Sequence, residues 1–452
     1  MNNIFKIGLG LLMVTTISCN NFLSKKPDIK MAIPKTLADA NLLLNDYNTL
    51  NGGYPTYGEM GTDDYYLTRE RWEGIYNVDH RNAFIWADEP YNDIVQWQYP
   101  YKVVYIANQV MEILKDLDPQ KNGEEYKRII GGAYFFRAFA LHTLTELHCA
   151  AFQETSAIEE QGIPLRLSTG VDEKSIRESL KDTYQQIIND FKVAINNLPV
   201  VEVVKGRPSK ASAYAGLARV YLDMGEFQQA YLYADSCLQL RPELMDFNDL
   251  KATDSYPVSR FNMEVLFPAL SLEAEPMYST TALIDTILIK SYGENDLRKD
   301  VFFIENNDPK GSYYFKGSYD QSNSLFFGIT NSEVYLIKAE AACRIEQVPI
   351  ALENLNKLLK TRWDNLVPYI SIIESDPERL LKIILEERRK ELVFRGRRWA
   401  DLKRLNLDPS FQKTLKRTIG DKIYTLEPNS QKYAFRLSET VVELAGIPQN
   451  KR

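Results

Sequence analysis

Histidine is nearly missing from this chain: His80, His142 and His148 are the only three in 452 residues. Cysteine is almost as rare, with Cys19, Cys149, Cys237 and Cys343. Zinc sites are built from these residue types at short spacings. His142 and His148 stand six apart with no third ligand in view, and no CxxC pair occurs, so a zinc site is not expected. Cys149, Cys237 and Cys343 each fall in an apolar helical pattern and read as buried free thiols. A basic excess is lacking too. The net charge is −7 and the pI near 5.4, which argues against a dedicated nucleic-acid binder. No apolar run reaches the ~20 residues that a spanning helix needs.

Aromatic residues, by contrast, are plentiful: 27 tyrosines, 20 phenylalanines and five tryptophans. Tyrosine and tryptophan suit surfaces that hold flat, partly apolar ligands, although tyrosine also packs interiors. The N-terminus "MNNIFKIGLGLLMVTTISC" has a basic Lys6, an apolar run from Ile7 to Val14 and small residues before Cys19. That order reads as a secretory signal over residues 1–18. Cys19 directly after Ser18 resembles the lipobox of bacterial lipoproteins, with Thr16 where a leucine is commoner. The resemblance implies cleavage before Cys19 and acylation of it. Three acyl chains would hold the protein on a membrane, where one alone binds marginally.

Residues 19–452 read as one mostly α domain. In "ASAYAGLARVYLDMGEFQQAYLYADSCLQLRP", Tyr214, Leu217, Ala218 and Tyr221 form one helical stripe, and Ala230, Ala234 and Cys237 form another past Gly225. This is the tetratricopeptide pattern, in which small residues let two antiparallel helices approach closely. The twelve-residue step from Ala218 to Ala230 recurs from Ala339 to Ala351. Four such pairs are expected, within about 97–148, 180–242 and 331–362. Residues 51–96 and 244–330 instead lack helical period and are rich in Gly, Pro, Asn, Asp and aromatics. Excursions of that length are usually functional.

Several spaced motifs resemble the SusD/RagB family of outer-membrane nutrient-binding lipoproteins, over nearly the whole chain. They are Trp97, Tyr101, Val104, Ala107 and Asn108; the helix around Arg137 and Ala138; Gly162–Leu165; "GRPSKASAYAGLARVYL" from Gly206; "NSEVYLIKAEA" from Asn331; and the closing "GIPQN". The C-terminal signature, within 383–405, contains "ILEERRKEL" and "GRRWADLKR", with Arg395 where the family usually has Glu. The resemblance implies a SusD-like fold and a non-catalytic surface protein. Such a protein captures an oligosaccharide, or a peptide as in the RagB branch, for a SusC-like TonB-dependent transporter. It implies an outer-membrane location as well, although the acidic export signal often found after the lipidated cysteine is missing.

Leu385–Leu405 holds twelve charged residues in twenty-one, eight of them basic. Interleaved acids argue against a nucleic-acid face, and no pocket is announced for catalysis. A structural clamp is the expected role, with local pairs such as Glu386–Lys390, Glu391–Arg395 and Arg397–Asp401.

Ligand contacts are expected from the irregular segments, where aromatic planes can cover sugar C–H faces and polar groups can meet hydroxyls. The candidates are Asp63, Asp64, Tyr65, Tyr66, Arg71, Trp72, Trp86 and Asn92 in the first, and Tyr292, Arg298, Tyr313 and Tyr314 in the second. Trp86 could equally be framework, as Trp97 and Trp399 are read to be. No cofactor is expected, save a structural calcium that Asp63 or Asp64 could hold. A glycoside hydrolase using Asp63, Asp64 or Glu70 is the competing class, though adjacent residues of an extended segment point to opposite faces. A pure repeat scaffold is the third. If the lipobox reading holds, Cys19→Ala moves the protein from the membrane pellet to the soluble fraction and abolishes incorporation of labelled fatty acid.

Overall fold

The computed structural model describes residues 34–170 and 172–452, so Cys19 and the signal segment lie outside the described residues. Among the described residues no helix is long and apolar enough to cross a membrane.

Seven helices form the scaffold. They are α1 (Val95–Lys115), α2 (Pro119–His148), α3 (Leu180–Asn197), α4 (Lys210–Met224), α5 (Phe227–Leu240), α6 (Asn331–Arg344) and α7 (Val348–Lys360). Their starts follow local chemistry. Asp118, Ser179 and Ser209 each accept a hydrogen bond from a backbone N–H of the first turn, satisfying donors that have no partner inside the helix. The geometry of α2 breaks at Gly123, so its continuous part begins where the apolar stripe begins. Gly225 ends α4 in the left-handed region, at φ 78°, the conformation that favours glycine.

Each helix packs on its neighbour in sequence from α1 to α5, α5 then packs on α6, and α6 on α7. Close approach comes from small residues: Ala215, Ala218, Ala230, Ala234, Ala339 and Ala351 are all fully buried. The expected pairs are therefore present, with one refinement. α4 packs on both α3 and α5, so the second and third pairs share it and the stack is continuous.

The excursions do not form separate bodies. Phe267 of the second lies 4.6 Å from Phe135 and 4.9 Å from Phe139 on α2, ring centroid to centroid. Tyr54 of the first meets Phe139 edge-on at 5.0 Å. A two-residue antiparallel ladder, Tyr65–Tyr66 with Leu283–Ile284, joins one excursion to the other. Cys149, Cys237 and Cys343 are buried free thiols, as expected.

Two more helices, α8 (Pro377–Glu391) and α9 (Arg398–Leu405), contain the charged stretch. It is a clamp that fastens to the repeats, and its pairs are buried and many of them long-range, in place of the expected local pairs of Glu391 with Arg395 and Arg397 with Asp401. Glu391 is engaged by Arg362 at 2.8 Å, not by Arg395. Arg397 reaches Asp223 on α4 at 2.9 Å and also Glu146 on α2. Asp401 pairs with Arg388 (2.9 Å) and Arg404 (2.8 Å), and Arg404 also grips Glu340 of α6. Among the described residues Arg395 faces no carboxylate within 4.0 Å, and it instead lies over the rings of Tyr319 (4.0 Å) and Phe326 (4.7 Å). Gly396 between the helices has φ 71°, and a Cβ there would come within 2.8 Å of the Phe327 ring.

Burial works to raise the carboxyl pKa values of Glu340, Glu391 and Asp401. The guanidinium groups of Arg404, Arg362 and Arg388 outweigh it, and all three are held below the ordinary range. Folded values depressed below unfolded ones supply stability above pH ~4, lost progressively as pH falls through and below that value. Stability to urea should therefore fall progressively as the pH is lowered below ~4. Arg362→Met, which strands Glu264 and Glu391, should cost about 3–5 kcal/mol in urea unfolding at pH 7.

Candidate functional site

Several expected ligand residues serve the fold. Asp63 receives both Arg398 nitrogens at 2.7 and 2.9 Å and Lys413 at 2.6 Å. Asp64 is buried against Arg389 at 2.8 Å. Three cations, Arg389, Arg398 and Lys413, thus engage these two carboxylates in ion pairs. For the same reason the pair is not a catalytic acid and base. Tyr65 is buried, its hydroxyl donating to the Met60 carbonyl at 2.8 Å. Trp86 is framework: its indole donates to the Gly61 carbonyl at 3.0 Å, and Arg417 lies over its ring. Tyr292 donates to the Lys390 carbonyl at 2.8 Å, and Arg298 is engaged by Asp296 and Glu387. These residues are corrected from ligand contacts to interior supports.

Others remain at the surface. Trp72 is half-buried and tied back through its indole to the Arg81 carbonyl at 3.2 Å. Arg71 donates to the Thr281 carbonyl at 3.1 Å, across to the second excursion. Asn92 is exposed, but its backbone N–H is held by Asp79. Tyr66 is exposed, and Tyr313 and Tyr314 are half-buried on a strand, Tyr313–Phe315, that pairs with Phe303–Glu305.

A cavity of about 540 Å³ lies in the second excursion, with Tyr256, Tyr278 and Tyr314 among its walls. Hydroxyls dominate the rest: Ser255, Ser271, Ser279, Thr280, Ser318 and Ser322. Its floor is a backbone scaffold, in which Ser271 N–H donates to the Leu325 carbonyl and Leu272 N–H to that of Tyr54. A second depression of about 410 Å³ adjoins it, bordered by Arg71 and Ile75 and sharing Tyr278 and Thr280 with the first.

Tyr278 therefore stands on the ridge between two hollows. It is 42% exposed, Tyr256 38% and Tyr76 93%. Tyr76 reaches this region because Glu275 accepts its backbone N–H at 2.7 Å and that of Asn77 at 3.2 Å. Burial and the neighbouring Glu273 carboxylate raise the Tyr278 phenol pKa, keeping it a neutral donor at physiological pH. Phenol faces and hydroxyls can hold a polyhydroxylated ligand by stacking and hydrogen bonds, while Lys316 is buried with its Nζ donating to the Ala252 and Asp254 carbonyls. Tyr76, Tyr256 and Tyr278 were not among the sequence candidates, although all three lie in the two segments singled out. The available signal was "MYSTT", an aromatic set among hydroxyl residues with no charge to bury beside it.

A possible metal cluster also fails on geometry. Ligand atoms of His142, Glu146 and Asp223 come within 4.8 Å of one another, but the Arg397 guanidinium already neutralises both acids.

Residues 21–222 match the family model described as starch-binding, associating with outer membrane, and residues 303–449 match the SusD family model. This chain belongs to the SusD/RagB family. It is 23% identical to SusD-like protein P2 of Formosa agariphila, over 89% of this chain and 91% of the relative. Its fold matches a SusD superfamily protein of Bacteroides thetaiotaomicron VPI-5482 with a TM-score of 0.74 at 22% identity, over 92% of this chain and 100% of that one. A putative sugar binding protein of Bacteroides vulgatus ATCC 8482 gives 0.76 at 21% identity, covering 93% and 99%. The two matched stretches take in the first excursion and the end of the second.

Because Glu275 is the clip that brings Tyr76 to the ridge, Glu275→Ala should speed amide exchange at residues 75–78. The melting temperature should change little, since the contact lies at the surface.

Proposed function

We propose that this protein captures an oligosaccharide at the Tyr278 ridge and hands it to a SusC-like TonB-dependent transporter. In this reading acylated Cys19 holds it on the external face of the outer membrane. The observation that supports it is the pairing of exposed phenol faces with a hydroxyl-lined cavity large enough for a few sugar rings. Association with the outer membrane follows the family description. The protein is a binding protein and not an enzyme, in keeping with its family. Chemistry agrees: Glu273 is the sole carboxylate lining the larger cavity, whereas glycoside hydrolysis ordinarily takes two. A peptide ligand is the variant of this role in the RagB branch, and the same measurement separates the two.

Titration calorimetry against matched panels of neutral oligosaccharides and short peptides tests the reading. A binding glycan should lose about 1–2 kcal/mol with Tyr278→Ala, about five- to thirtyfold in affinity. Trp86→Phe should leave glycan affinity unchanged, because that ring is sealed in the core. Binding of peptides alone, or of glycans indifferent to Tyr278, would overturn it.

A further inference from the structure

Away from the ridge a second cleft, of about 380 Å³, opens where the chain leaving α2 meets α9, the turn at Ser430 and the residues near Asn450. It shares no lining residue with the tyrosine cavity or the adjoining depression. Its volume falls within the range of small-molecule sites. Gln153, Gln161 and Gln431 line it with exposed amides that can meet a polar ligand.

Its one deeply buried charged group is Lys403, 6% exposed. The Nζ donates to the carbonyls of Glu146 (2.8 Å) and Cys149 (2.5 Å), at the C-terminal end of α2. An ammonium has three donors, so one is left. Among the described residues no carboxylate lies within 4.0 Å of it. Arg395 of the clamp shares this lack but rests on two aromatic rings, whereas Arg388, Arg389, Lys390, Arg397, Arg398 and Arg404 all face carboxylates. Burial pulls its pKa down to about 8, the mark of a cation short of compensation. Glu159 and Glu160, both exposed, also line the cleft. The exposed Lys451 lines it too, so the rim carries two acids against one base, which disfavours a polyanion while leaving room for one buried negative charge.

We propose that this cleft is a second binding site, taking a polar ligand whose single carboxylate docks on Nζ of Lys403. A carboxylate of that kind can come from a uronic-acid-ended sugar or from the C-terminus of a short peptide. The shared chemistry is one anionic end on a neutral, hydrogen-bonding body. The site stands independently of the ridge.

Calorimetry on the mature protein at pH 6.5 uses two matched pairs: digalacturonic acid against galactobiose, and trialanine against its C-terminal amide. We expect one acid to bind at least tenfold more tightly than its neutral twin, and which acid binds identifies the source. Lys403→Met should remove that preference, while Tyr278→Ala leaves it intact. Gln161→Trp fills the cleft from its exposed edge without touching the clamp, and should abolish binding of the acid even if Lys403→Met fails to fold. Equal binding of acids and neutral twins, no binding of either acid, or undiminished binding by Gln161→Trp would overturn the proposal.

Discussion

Buried guanidinium–carboxylate pairing governs this molecule. A guanidinium or carboxylate taken out of water is strongly penalised unless its partner arrives with good geometry. The basic residues of α8, α9 and the turn between them draw their partners from α2, α4, α6 and both excursions: Glu146, Asp223, Glu340, Asp63, Asp64 and Asp296 among them. No single repeat can satisfy them. The charges are therefore neutralised only when the whole stack and both excursions are assembled, which favours one arrangement over partial ones. Arg395 solves the same problem differently, resting its guanidinium on the faces of Tyr319 and Phe326.

That constraint also explains where a ligand can be held. Asp63 and Asp64 anchor the first excursion to the clamp, and Asp296 and Glu264 anchor the second through Arg298 and Arg362. The Tyr65–Tyr66 ladder and the Glu275 clip then join the excursions at their outer ends. A surface fastened on both sides presents its aromatic side chains with little backbone freedom left to lose, which favours binding by stacking.

Much of the scaffold was legible. The helices, their pairing and the shared step between Ala218–Ala230 and Ala339–Ala351 are local facts of periodicity, and all reappear in the structure. The clamp's role was legible as well, yet its partners were not. A helical turn offers Glu391 to Arg395, but once α8 is buried Arg362 and Arg298 provide better-enclosed partners from far along the chain. Inside the excursions, dense mixtures of aromatic and charged residues looked like ligand contacts. Such mixtures suit a buried ion-pair and ring cluster equally well, and Tyr65, Trp86, Tyr292 and Arg298 form one. Tyr66 does face solvent, as do Tyr76, Tyr256 and Tyr278, which are less conspicuous in sequence.

By itself the sequence determined the family, the helical repeats and the extent of the two irregular segments. Each of these is encoded in short spacings that any conformation of the chain preserves. Only the tertiary structure decided which tyrosines are exposed, which acids are neutralised and which lysine is left without a carboxylate. Burial and ion pairing depend on what arrives from hundreds of residues away, and an excursion without period keeps no local record of which face it will turn outward.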